Sequence, residues 1–141
     1  MFEAEKAFRK ALDLEKDDPA VLNYLGYMYA VRGIHLDEAE SMLQKAVQTD
    51  PTNGAYLDSL GWIYFKQNRL DRAEEYLKKA AIFVNTDPDI HDHLGDLYFK
   101  AKRYEEARVE WSKSIQLSTE QEDINRVKKK IDELRTKAAN K

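Results

Sequence analysis

"AYLDSLGWIYFKQNRLDRAEEYLKKA", residues 55–80, is the stretch on which the fold turns. Its leucines, Gly61, its tyrosines and Ala73 fall on helical spacing that is broken only at "KQNR". Nearly matching stretches flank it, "AVLNYLGYMYA" from Ala20 and "DIHDHLGDLYF" from Asp89. Each carries Leu-Gly ahead of a tyrosine: Gly26 with Tyr29, Gly61 with Tyr64, Gly95 with Tyr98. Downstream lies a second block in which Ala39, Ala73 and Ala107 precede Leu43, Leu77 and Trp111, and then Ala46, Ala80 and Ser114. A fixed period of 34 or 35 residues is the mark of a repeat array, in which each unit buries its apolar face only against its neighbours.

Within each unit the apolar residues recur at three and four, as in Leu22, Leu25 and Tyr29 and then in Ala39, Leu43 and Ala46, so each unit reads as a pair of helices. Asp18-Pro19 and Asp87-Pro88 supply a capping side chain followed by a proline at the first helical position, where a missing N–H costs nothing. Gly33 and Asn68 stand where a first helix should stop, and both accept the left-handed conformation. Lys102 occupies the matching place in the third unit and does not favour it, which predicts a looser or differently closed turn. The extra residue of the first unit, in "RGIHLD", predicts a bulge between its two helices. Glycine inside a helix costs about 1 kcal/mol relative to alanine. Its recurrence as Gly26, Gly61 and Gly95 therefore implies close approach of a partner helix, with Ala39, Ala73 and Ala107 as the small surface opposite.

Over about residues 2–118 the chain resembles the tetratricopeptide repeat family, whose motif is a large apolar residue, Leu-Gly, Tyr, Ala, an aromatic or Leu, Ala and often Pro. His91 departs from it where Leu22 and Leu57 conform, Ser114 replaces the last alanine, and only the first unit has the closing proline, Pro51. The resemblance implies an all-α, right-handed helical-repeat solenoid forming a single domain. Its expected parts are the second helix of a truncated repeat over 2–16, repeats over 19–53, 54–87 and 88–118, and a capping helix over 119–138. The first segment has the second-helix pattern in Ala4, Phe8 and Ala11 with no first helix before it, so the chain reads as a piece of a longer array, similar to those of long bacterial proteins. Ile124, Val127, Ile131 and Leu134 form one apolar stripe on a charged segment, as a terminal cap requires.

Composition narrows the chemistry. The chain has 141 residues, no cysteine and a formal charge of −3, so disulfides, thiolate metal sites and a cysteine nucleophile are absent. Residues 1–118 carry 16 basic against 21 acidic side chains, a balance that disfavours nucleic acid. "KKK" at Lys128 to Lys130 reads as a solvated helix face, and no apolar run is long enough for a membrane span.

In a solenoid the first helices line a concave surface. The residues expected there lie off the Leu, Leu, Tyr face: Asn23, Tyr27, Ala30 and Val31, then Asp58, Trp62, Phe65 and Lys66, then Asp92, Asp96, Phe99 and Lys100. Trp62 stands where the other units have Tyr27 and Asp96, so the repeat does not demand an aromatic there; it reads equally as a groove anchor or as filler between neighbouring helices. Phe65 and Phe99 read more readily as packing. The carboxylates beside these aromatics suit a basic or partly apolar peptide. The carboxylate clamp of chaperone-binding members would map onto Asn23, Tyr27, Ser59, Asp89 and His93, almost none of which fit, so acidic chaperone tails are not expected as ligands.

The reading is therefore a non-enzymatic protein-interaction scaffold without a cofactor; no phosphate loop, HExxH or GxSxG motif occurs. One alternative is a metal site on the third repeat, from Asp89, Asp92, His93 and Asp96 in "DPDIHDHLGD". Another is homo-oligomerisation through the N-terminal helix, whose Phe2, Phe8, Ala11 and Leu12 are expected to leave an apolar face uncovered. His35 lies in a turn and carries no role.

Overall fold

The computed structural model describes residues 3–14 and 17–139. Among the described residues it is built of α-helices with no strand: α1 (Glu3–Leu14), α2 (Pro19–Arg32), α3 (Leu36–Thr49), α4 (Gly54–Lys66), α5 (Leu70–Phe83), α6 (Pro88–Lys100), α7 (Tyr104–Leu117) and α8 (Gln121–Ala139). The chain divides into two compact units, Met1–Phe83 and Val84–Lys141. The first holds α1 and the pairs α2/α3 and α4/α5; the second holds the pair α6/α7 and then α8.

Capping follows the local sequence. Asp18 accepts hydrogen bonds from the amides of Ala20 and Val21, and Asp87 accepts from Asp89, so both prolines fall in the first turn. Asn53, not anticipated from the sequence, does the same work for α4 by accepting from the Tyr56 amide at 3.1 Å. Between the helices of a pair, Gly33, Asn68 and Lys102 all adopt left-handed φ values of 68°, 62° and 63°. The expectation for Lys102 is corrected: its turn closes like the others. Ile34 N bonds to Tyr29 O at 3.0 Å, Arg69 N to Tyr64 O at 2.9 Å and Arg103 N to Tyr98 O at 2.8 Å. This closure satisfies carbonyls left over at the helix end, and it holds the lysine in a conformation that costs an L-residue about 1 kcal/mol. The extra residue of the first unit is His35, itself left-handed at φ 50° with no side-chain cap bond, its ring edge-on to Tyr29 at 4.9 Å.

The helix glycines are required by contact. A Cβ on Gly61 would stand 2.7 Å from Cγ and 3.1 Å from the backbone N of Leu77; on Gly26 it would collide with Leu43, and on Gly95 with Trp111. The filling residue is thus the one four positions after the expected alanine, while Ala39, Ala73 and Ala107 are themselves fully buried beside it. The core of each pair is completed by Leu25, Tyr29, Leu43 and Ala46 in α2/α3, by Leu60, Tyr64, Leu77 and Ala80 in α4/α5, and by Leu94, Tyr98 and Trp111 in α6/α7. Val127 and Leu134, 1% and 4% exposed, belong to the apolar stripe of α8, which packs on α7.

α1 meets α2 through polar groups as well. Glu5 is buried and accepts from the Tyr29 hydroxyl at 2.8 Å and from Arg32 at 3.2 Å, while Arg9 donates to both Tyr29 and Glu38. Burial, reinforced by donation to Glu5, pushes the Tyr29 phenol up to about 12. Phe2 and the side chains of Phe8 and Leu12, on which the self-association reading rests, lie outside the described residues; Ala11 is half-buried.

Candidate functional site

In the first unit α2 and α4 lie side by side, and the expected stripe is only partly a surface. Val31 is 55% exposed and Lys66 is exposed; Asn23, Tyr27 and Phe65 are half-buried. Ala30 is fully buried and so lines no surface. Asp58 and Trp62 are each 9% exposed. The helical spacing stacks Trp62 on Phe65, ring centroids 4.6 Å apart and 14° from parallel, and Lys66 Nζ lies 5.5 Å from the Trp62 ring. Trp62 is thus packed in the free chain, and its neighbours Phe65 and Lys66 carry the accessible part of the ladder. Asn23 Oδ1 is buried with no hydrogen-bond partner among the described residues.

In the second unit the carboxylates expected to border a groove are engaged within the chain. Asp92 is 6% exposed and accepts from Arg126 at 2.9 Å and from Lys130 at 2.8 Å. Asp96 accepts from the same Lys130 at 2.8 Å and from Trp111 Nε1 at 3.2 Å. Burial pushes the Asp96 carboxyl up, against the pull of the Lys130 charge. The sequence holds a signal for this match, since Arg126 and Lys130 stand at i, i+4 on α8 just as Asp92 and Asp96 do on α6; the solvated face expected of the lysine run is corrected at Lys130.

The metal alternative is corrected on the same geometry. Two of its four donors are saturated by cations, and no group of three or more His, Asp or Glu side chains converges to hold an ion among the described residues. Of the clamp places, Ser59 and His93 are buried at 5% and 8%. His91, in the place of a large apolar residue, is 7% exposed and its Nδ1 lies 2.7 Å from Glu110 Oε2. Burial alone would raise the Glu110 carboxyl, yet the hydrogen bond with His91 and the charge of Lys113 hold it below the usual carboxylate range.

The predicted Phe99 does open onto space. With Glu133, Thr136 and Lys137 of α8 it lines a recess of about 580 Å³, and its ring lies 5.6 Å from that of Tyr104 and 5.8 Å from that of Trp111. Sequence reasoning missed the α8 contributors because it treated that helix only as a cap. Lys100 is exposed.

Two tetratricopeptide repeat models match the chain, one over residues 3–54 and one over residues 35–92. A TPR repeat-containing protein of Pseudomonas aeruginosa, PA4667, is 39% identical over 66 residues, which are 47% of this chain and 11% of that protein. The chain thus spans about a tenth of the length of the curated relative it matches. The thermophilic TPR protein TTC0263 of Thermus thermophilus superposes with a TM-score of 0.76 at 20% identity, over 89% of this chain and 70% of that one. The first TPR domain of Spaghetti (RPAP3), solved with the HSP90 peptide SRMEEVD, superposes with a TM-score of 0.74 at 21% identity, over 86% of this chain and 95% of that one. At such identities the structural likeness speaks for the fold alone.

Proposed function

We propose, from the premise that the chain belongs to the tetratricopeptide repeat family, that it is a non-catalytic scaffold whose first unit binds a partly apolar peptide segment along α2 and α4. One observation carries the reading: the Asn23 acceptor is buried without a donor on the same stripe as the exposed Val31 and the half-buried Tyr27 and Phe65. An unsatisfied buried acceptor costs about 1–3 kcal/mol, which a turn of the half-buried Asn23 side chain toward a backbone N–H of a bound segment would recover, while Val31 and Phe65 meet its apolar side chains. Support by analogy comes from the RPAP3 domain, whose structure contains a bound peptide.

The electrostatic argument for a basic partner weakens in the second unit, because Arg126 and Lys130 already neutralise Asp92 and Asp96. In the first unit Lys66 stands at the accessible end of the stripe, so an apolar segment is preferred over a strongly basic one. The test is selection of binding peptides from a displayed random library on the wild-type chain, followed by affinity measurement in Val31→Glu and Asn23→Ala. Val31 is exposed, so its substitution leaves the core alone. Loss of about tenfold or more in affinity with unchanged helicity supports the groove; equal affinity in both variants refutes it.

A further inference from the structure

We propose that the cleft between α7 and α8 is a second binding site, one that takes an acidic peptide segment carrying a large apolar side chain. This site lies on the second unit and does not depend on the reading of α2 and α4.

The cleft has a volume of about 480 Å³, within the roughly 300–1,000 Å³ range of ligand pockets. Its apolar lining is Tyr104, Ile131 and Leu134, the first two half-buried and the last 4% exposed. Lys102, Arg108 and Arg135 also line it, all exposed, against one carboxylate, Glu105. Glu105 is held by Arg108 at 3.1 Å, and that contact keeps its carboxyl below the ordinary range. Lys102 and Arg135 make no ion pair among the described residues.

Charge complementarity names the occupant. The chain as a whole is acidic, at −3, yet this lining has a local positive excess. An apolar side chain of leucine or phenylalanine size would fill the lining, and flanking carboxylates would reach Lys102 and the planar Arg135 guanidinium, which favours carboxylate geometry. Lys102 also occupies the left-handed turn position that Gly33 and Asn68 fill in the other repeats, so a cation stands there despite the conformational cost. A basic segment would meet like charge at the same rim.

The experiment uses the full chain and two labelled synthetic peptides, Asp-Glu-Leu-Phe-Glu-Asp and Lys-Arg-Leu-Phe-Arg-Lys, followed by fluorescence anisotropy. The acidic peptide is expected to bind wild type more tightly than the basic one. Its affinity should fall about tenfold in the Lys102→Glu, Arg135→Glu double variant and less in the neutralising Lys102→Gln, Arg135→Gln variant, with far-ultraviolet circular dichroism unchanged. Val31→Glu, in the proposed groove, should leave it unaffected. Absence of acidic-peptide binding, equal affinity in both double variants and wild type, or loss in Val31→Glu instead would overturn the assignment.

Discussion

Nδ1 of His91 stands 2.7 Å from Oε2 of Glu110, which places a polar pair inside α6/α7 where the other two repeats use Leu22 and Leu57. Replacing Glu110 by glutamine should destabilise the chain by about 1.5–3 kcal/mol at neutral pH, the worth of a hydrogen bond to a charged partner. Because the folded Glu110 carboxyl lies below its ordinary value, its contribution is complete above about pH 4.3 and is lost as pH falls through the folded value. Urea melts of wild type and variant should therefore differ at pH 7 and converge in acid. The double change His91→Leu, Glu110→Leu should cost less than either single change, since neither partner is left alone.

Lys130 bridges two carboxylates with its own side chain only 25% exposed. Lys130→Ala leaves Asp96 without a cationic partner, while Asp92 keeps Arg126, and should cost about 2–3 kcal/mol at pH 7. Asp96 already lies above its ordinary value, and loss of the cation raises it further. A raised carboxyl binds its proton more tightly in the folded state, so the deficit should shrink as pH falls through the folded value and be least below about 3.9. Thermal melts across that range check the sign, and a deficit that grows on acidification would contradict the assignment.

Gly61→Ala sets two effects against each other. Helix propensity favours alanine by about 1 kcal/mol, while a new Cβ 2.7 Å from Leu77 Cγ and 3.1 Å from the Leu77 backbone N must displace the facing helix, at about 1–3 kcal/mol. The backbone atom cannot swing aside as a side chain would, so packing should win and the melting temperature should fall. A rise would mean that α4 and α5 are less tightly seated than their contacts indicate.

Lys102→Asn should do the opposite. Asparagine accepts the left-handed region more readily, as Asn68 does at φ 62°, and the variant should gain about 0.5–1 kcal/mol in denaturant stability. The same change removes a cation from the α7/α8 cleft, so acidic-peptide affinity should drop while stability increases. Parallel movement of the two quantities would show that the cation is irrelevant to binding.

The repeat period, the pairing of helices, the Asp18 and Asp87 caps and the need for glycine at positions 26, 61 and 95 were legible in the one-dimensional pattern. Each is written in residues a few positions apart, or in recurrence of the same residue type, and helical geometry converts such spacing directly into shared faces. What decides the candidate surfaces was not legible. Lys130 meets Asp92 and Asp96 across 38 and 34 residues, and that match depends on where α8 settles on α7, not on any local preference. Likewise Lys102 is left-handed because the bonds closing its turn outweigh its own leaning, and Trp62 is packed because of what surrounds it. Local pattern made the helices and their faces; only tertiary packing determined which charges on those faces are cancelled within the fold and which stay available to a partner.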